Sequence, residues 1–455
     1  MRILFVAMSE SIHVVRHIGQ LSHCGWDLHL FPTMTGLVHT ALDKSVKVHA
    51  APGTEVGWPL ADRGRFVRDR VAVFLGSYRA MFKQWLPRLK KRQERLPLPL
   101  SAAVSPFIWA IGRWVDDAER LARVIRKVKP DVIHSLEFQH GAYVTLEAKK
   151  LLAGRGKFPL WVATNFGADI DLFGRLPEHE SIIREVLAEC DYYDCESDRD
   201  VALARRFGYE GPVWPVVPNA GGFDLKKIQS LRTPGPTSAR RLIVLKGYQG
   251  WVYRALTGLR AIEMCADLLK ERGYRVAVYL ASDDVGLSAR LITQSTGLPI
   301  DIIPYSSHDD MLRLHGQARA SIGLSLTDAC STSFLEAIAM GSFPIQSSTS
   351  TANEWIRDGE TGIFVHPEDP RDVAQAIRRA VTDDAMVDRA AEVNAHTVRE
   401  RLDYQTIQRQ VVGAYKAIEA SLSETSLSET SPCDAVKRSP SCDRVGSSCG
   451  LVVER

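Results

Sequence analysis

Short apolar runs alternate with helix-period segments twice over, and this rhythm limits the chain to very few folds. Arg2 to Ala7 is a compact apolar run, a polar loop follows, and a helical pattern runs from Val14 to Leu21 until Gly25 stops it. Asp27 to Phe31 is the next apolar run. Strand, helix, strand opens a parallel sheet, because a crossover must carry the chain back before the next strand can pair in the same direction. Asp131 to Ser135 and Leu160 to Thr164 read as further central strands, and Pro218-Asn219-Ala220-Gly221-Gly222 reads as a loop. A joint rich in Pro, Ser and Thr covers Thr233 to Ser238, and the rhythm then restarts. Strands are expected at Leu242 to Leu245, Arg275 to Leu280, Pro299 to Pro304, Ser321 to Leu326, Phe343 to Ile345 and Gly362 to Val365. A helix is expected from Ala255 to Leu269, and Asp369 with Pro370 opens another that runs toward Ala380. Open parallel sheets bind ligands at the carboxyl ends of their strands, so two such halves facing each other make a small-molecule cleft.

Charge and composition narrow the function. The 455 residues carry 57 Lys or Arg against 54 Asp or Glu, a net charge of +3, which argues against a dedicated nucleic-acid binder. The longest apolar region, Leu96 to Trp114, is broken by Pro97, Pro99 and Pro106, so no transmembrane helix is expected. The first apolar run is too short for a secretory leader, which makes the cytoplasm the expected compartment. Eight cysteines are present, and only Cys190 and Cys195 lie close together in the folded part. Without a second pair they read as free thiols rather than a zinc site. Residues 63–95 hold eleven Lys or Arg and two acidic residues, with Phe74, Tyr78, Phe82 and Trp85 interleaved. Such a segment suits peripheral contact with an anionic membrane, and a basic face on a soluble helix is the plainer reading. From Ser421 a five-residue unit, Ser-Leu-Ser-Glu-Thr, occurs twice and opens a polar stretch expected to be disordered.

Two segments carry chemistry. In Gly323 to Gly341 a strand ends, a loop of small and hydroxyl residues follows, and a helix starts around Ser333. Asp328 precedes that helix and Glu336 lies in its first turns, so the loop brings Asp328 to the helix N-terminus. The free amides of a helix start suit an anion or an array of sugar hydroxyls. The plainer reading has Ser331 or Thr332 capping the helix and Glu336 complementing its dipole. The second segment, Lys246 to Arg254, follows the first strand of the second half. Lys246 and Arg254 could converge on a diphosphate, or be two solvated cations beside a turn.

Together with Ala352 to Val365, whose Glu354…Asp358-Gly359-x-x-Gly362 pattern ends in an apolar run, these segments resemble the donor half of glycosyltransferase family four. The three elements occur in the family's order: the cationic loop, Asp328-x7-Glu336, and the Asp-Gly segment continuing into Pro367-Glu368-Asp369-Pro370. The resemblance is close over about residues 240–395 and a matter of rhythm alone in the N-terminal half.

The resemblance implies an α/β GT-B fold, with two Rossmann-like domains whose parallel sheets face across a cleft. It divides the chain into an acceptor-side domain at 1–232, a nucleotide-sugar-binding domain at 233–398, a C-terminal helix at 399–420 that packs back on the first domain, and a tail at 421–455. It implies a retaining transferase that moves a sugar from a nucleotide-diphosphate donor to a glycan, lipopolysaccharide or glycolipid acceptor. Lys246 and Arg254 would neutralise the diphosphate with no metal and no other cofactor. Glu336 would bind the ribose hydroxyls and Asp328 the donor sugar, while Ala329, Cys330, Ser331, Thr332 and Ser333 would line that sugar. His13 would contact donor or acceptor, and Asp169 would position one of them. Phe166 stands where related enzymes carry a histidine, Asp328 where they carry a glutamate, and the usual glycine pair near Ser9 is missing. An epimerase on the same fold and a silent nucleotide-sugar-binding module are the alternatives.

Overall fold

The computed structural model describes residues 1–33, 38–50 and 116–429. Met1–Ala414 forms one compact unit, and the residues from Tyr415 form a second. Two sheets of six parallel strands lie in the first unit among the described residues. The N-terminal sheet contains β1 (Arg2–Ala7), β2 (Asp27–Pro32), β3 (Lys47–Val48), β4 (Val132–Leu136), β5 (Leu160–Thr164) and β6 (Tyr192–Asp194), in the order β3-β2-β1-β4-β5-β6. The second contains β7 (Leu242–Lys246), β8 (Arg275–Tyr279), β9 (Ile300–Ile303), β10 (Ala320–Gly323), β11 (Phe343–Ser347) and β12 (Ile363–Val365), in the order β12-β11-β10-β7-β8-β9.

The two orders are the same pattern. Each half builds outward from its first strand on one side, then returns to add its fourth strand on the other. The crevice left by that reversal is where a doubly wound sheet takes its ligand. It lies between β1 and β4 in one half and between β7 and β10 in the other. Registers are in step: Phe5 pairs with Leu30 and His134, and Ile322 pairs with Leu245 and Ile345. Helices cover both faces, so the central strands are continuously apolar; Ile3 to Ala7 and Ile243 to Leu245 are fully buried.

Three expectations need correction. The helix expected over Ala255 to Leu269 is two helices, Ala255–Met264 and Ala266–Glu271, because the chain breaks helical geometry at Cys265 (φ −106°, ψ 2°). The strand expected to reach Leu326 ends at Gly323. Beyond it the Ser325 amide turns to the Ser347 hydroxyl and the Leu326 amide to the Val252 carbonyl, so this stretch leaves the ladder and faces the 247–254 loop. At the C-terminus the helix Tyr404–Glu429 runs past the expected start of the tail at 421, and residues 430–455 lie outside the described residues, as does the basic segment 63–95. Leu402 and Tyr404 exchange backbone hydrogen bonds with Phe223, and Gln408 Nε2 donates to the Gln20 carbonyl at 2.9 Å.

Arg319, immediately before β10, is 1% exposed and binds three ways: Nε to the Ala380 carbonyl at 2.7 Å, Nη1 to the Ser238 carbonyl at 2.6 Å and Nη2 to Asp384 at 2.6 Å. These bonds tie the joint and two helix ends to the sheet. Arg319→Met should therefore lower unfolding free energy in urea by about 3 kcal/mol, since buried carbonyls lose a charged donor.

Candidate active site

A cleft of about 720 Å³ opens where the carboxyl ends of the two sheets face each other. One wall is built by the loops after β7 and β10, on either side of the reversal in the second sheet. Lys246, the last residue of β7, reaches into it. Its Nζ lies 3.2 Å from Ser331 Oγ and 4.9 and 5.2 Å from the ring centroids of Tyr253 and Tyr248. Among the described residues no carboxylate comes within ion-pair distance of Lys246. Removal from water pulls its pKa below the usual lysine value, while the charges of Asp328 and Glu336 oppose that fall. The ammonium is held by ring faces and a hydroxyl, so its charge remains available to an incoming anion.

The helix Thr332–Ala339 points its first turn into the same space. Ser331 occupies its N-cap position but makes no side-chain capping bond. The Ser331 hydroxyl instead meets Lys246 and lies 3.1 Å from Ser333 Oγ. The plainer sequence reading, in which this side chain or Thr332 caps the helix, is thereby corrected, and the helix start faces the cleft uncapped. Glu336 is buried, with Oε1 2.8 Å from His308 Nε2. Burial raises its pKa, but the His308 hydrogen bond and the electrostatic influence of His315, His308 and Arg16 outweigh this and hold it below the usual glutamate range. Asp328 behaves oppositely: removal from water raises its pKa above the usual aspartate range despite Lys246 and Arg199.

Of the residues singled out in the sequence, Lys246, Asp328, Cys330, Ser331, Thr332, Ser333, Glu336, His13 and Asp169 all line the cleft. Two do not. Arg254 donates from Nε to Glu368 at 3.0 Å and from Nη1 to the carbonyls of Gly250 and Tyr253. The loop doubles back so that Gln249 pairs with Arg254. In this structure Arg254 is thus engaged outside the cleft lining, whereas convergence with Lys246 was expected. Ala329 is buried behind the wall, with its amide directed at the Asp328 carboxylate.

The opposite wall comes from the N-terminal half. His13, at the start of the helix Ile12–Gly19, places Nδ1 3.4 Å from Thr332 Oγ1. Desolvation, then Arg16 and Lys246, push its imidazole down to about 4, so it is neutral near pH 7. Asp169 is braced by the fold: Oδ2 accepts from the amides of Phe138 at 3.0 Å and Phe166 at 2.9 Å. Burial and the nearby Glu137 raise its pKa well above the usual range. Glu137, buried at a φ of 82° that side chains rarely adopt, also lines the cleft and accepts from the His140 amide. His134, on β4, is packed in the core against Phe5, His17 and Trp214.

Sequence reasoning missed four contributors. Arg16 lines the cleft three residues after His13, one helical turn away on the same face. His308, the first residue of the helix His308–Gln317 that follows β9, reaches Glu336. Glu196, following β6, lines the cleft, accepts the Asn219 amide at 2.8 Å and is pushed up to about 8 by burial and by Asp328, Asp194 and Asp200. Arg199 crosses between the walls, as developed below. Further contacts join the two halves at the rim. Thr327 donates to Asp171 at 2.5 Å, and the Trp251 ring lies 5.4 Å from that of Phe173. At Gly167 a Cβ would come within 3.1 Å of the Asp328 carboxylate. Among the described residues no group of three or more His, Cys, Asp or Glu is placed to hold a metal ion.

Comparison with known proteins fits this geometry. The sequence profile of the family described as Glycosyl transferases group 1 matches residues 261–397. A D-inositol 3-phosphate glycosyltransferase of Nocardioides sp. is 28% identical over 129 residues, a match that spans 28% of this chain and 28% of that relative's length. Sucrose-phosphate synthase from Thermosynechococcus elongatus superposes with a TM-score of 0.62 at 14% identity, over 92% of this chain and 100% of that one. Anabaena HepE, solved with UDP and glucose, gives 0.59 at 13% identity, over 91% and 99%. These two likenesses are of fold. Residues 261–397 thus match the group 1 glycosyltransferase profile, and the two facing parallel sheets in the doubly wound order give the chain the GT-B fold of the solved structures it superposes on.

Proposed function

We propose that this protein is a retaining glycosyltransferase that moves a sugar from a nucleotide-diphosphate sugar to a hydroxyl of a glycan, lipopolysaccharide or glycolipid. The observation that carries the reading is Lys246, a recessed ammonium with no carboxylate at ion-pair distance, set beside an uncapped helix start. A departing diphosphate is the anion these groups suit, because they would hold charge that grows as the sugar bond breaks. Arg16, on the facing wall, takes the place first expected of Arg254 as the second cation. Glu336, kept ionised and oriented by His308, would accept the ribose hydroxyls. Asp328 would bind the donor sugar with Ser331, Thr332 and Ser333. The HepE structure, solved with UDP and glucose, supports a uridine donor as the first to try.

In such a reaction the released phosphate can take the acceptor's proton, so a dedicated side-chain base is not required. His13, at Thr332, and Asp169, braced by the Phe138 and Phe166 amides, would position the bound substrates. No divalent metal is needed in this scheme, and turnover should persist in excess chelator. A cytoplasmic site of action fits a nucleotide-sugar donor, and among the described residues no helix is long and apolar enough to cross a membrane. Peripheral contact with an anionic membrane through residues 63–95 would bring the enzyme to a lipid-linked acceptor.

Thermal-shift screening against UDP-, GDP- and ADP-sugars, followed by donor hydrolysis, is the first test. Binding without turnover would favour the silent module, and an epimerised donor would favour the epimerase. Lys246→Ala should lower kcat/KM about 100- to 1000-fold, as loss of a group that meets developing charge does. Glu336→Ala should abolish transfer and donor hydrolysis; full activity in either variant would overturn the site assignment.

A further inference from the structure

Arg199 bridges the two walls. It lies in the helix Asp198–Arg206 of the N-terminal half. Nη1 donates to the Asp328 carbonyl at 3.1 Å, in the loop after β10, and Nη2 donates to the Gly167 carbonyl at 3.2 Å, in the loop after β5. Nε is held by Asp200 at 2.9 Å, which fixes the plane of the fork. The second half grips the base of this residue in return. The Glu354 carboxylate accepts from the amides of Asp198 and Arg199, both at 3.0 Å, and so caps that helix from across the cleft. Arg401 steadies Glu354 by donating to its carbonyl at 2.6 Å while lying 3.8 Å over the Trp355 ring.

We propose that Arg199 is a positioning residue for glycosyl transfer: its fork sets the Asp328 loop against the Gly167 loop only when the two halves are closed, so that the Asp328 carboxylate meets the donor sugar in one place. The inference rests on the transfer reading above. A planar guanidinium suits the task because its donors diverge at fixed angles toward two carbonyls, which a single ammonium cannot match. A small displacement of a sugar-holding group is enough to slow the chemistry strongly. Arg199 also adds positive charge beside Asp328. The other charged or titratable groups that face this carboxylate are Lys246 from β7, Glu196 from beyond β6, Tyr253 from the cationic loop and Cys330 from its own loop. Removing Arg199 leaves the carboxylate easier to protonate, so a rate that depends on ionised Asp328 would be lost at higher pH than before.

The test compares wild type with Arg199→Ala, Arg199→Lys and Glu354→Ala, using whichever of UDP-glucose, GDP-mannose and ADP-glucose the wild type hydrolyses fastest. Arg199→Ala should lower kcat about 30- to 100-fold while affinity for the matching nucleoside diphosphate stays within about three-fold. The acidic limb of its pH profile should move to higher pH. Arg199→Lys keeps the charge and should hold the limb in place while recovering only part of kcat; it also serves if the alanine variant fails to fold. Glu354→Ala loosens the same junction without touching Asp328 and should lower activity with the limb unmoved. The inference is overturned if Arg199→Ala keeps kcat within about two-fold of wild type, or if its limb stays put and its loss only equals that of Glu354→Ala. A wild-type chain that binds none of the three donors would overturn the transfer reading and this inference together.

Discussion

Everything in the cleft is arranged around one desolvated ammonium. Lys246 stands at the end of the strand where the second sheet reverses its order, so the fold itself delivers a cation to the ligand crevice. Tyr248 and Tyr253 lay ring faces beside it, and Ser331 gives it a hydroxyl rather than using that hydroxyl to finish its own helix. Asp328 and Glu336 act at longer range and oppose the fall in its pKa that burial causes. A site with this balance is tuned for a guest that brings its own negative charge.

The two carboxylates have been given different tasks by their surroundings. Glu336 sits among imidazoles and Arg16, and it stays ionised although buried. Asp328 sits between the halves, where removal from water dominates, and its charge depends on Lys246 and Arg199, one from each half. The state of Asp328 thus depends on a cation from each half, whereas that of Glu336 is set mainly by imidazoles of its own half.

Most of the framework was legible in the sequence because it is local. Apolar runs bounded by Gly, Pro and Asp located ten of the twelve described strands, most within a residue or two, and missed the short β3 and β6, since a strand buried on both faces is written as an apolar run and a short edge strand is not. Lys246, Asp328 and Glu336 were legible because each follows a strand or opens a helix at the end where ligands bind. Direction was less legible than position. Arg254 is eight residues from Lys246 and points elsewhere, because a tight loop rather than spacing decides where its side chain goes. The groups that join the halves were invisible for another reason: Arg199 meets a carbonyl 129 residues away, and nothing near position 199 announces that partner. The break at Cys265 and the early end of β10 belong to the same class, set by what the backbone meets in three dimensions.

One rim contact has a practical side. Trp251 is 63% exposed, sits in the cationic loop of the donor half, and leans on Phe173 of the other half. An indole with one face on a partner ring and one in water changes its emission when that partner withdraws. Trp251 therefore sets an indole, largely in water, on the seam between the two halves, where it senses both the solvent and the facing ring.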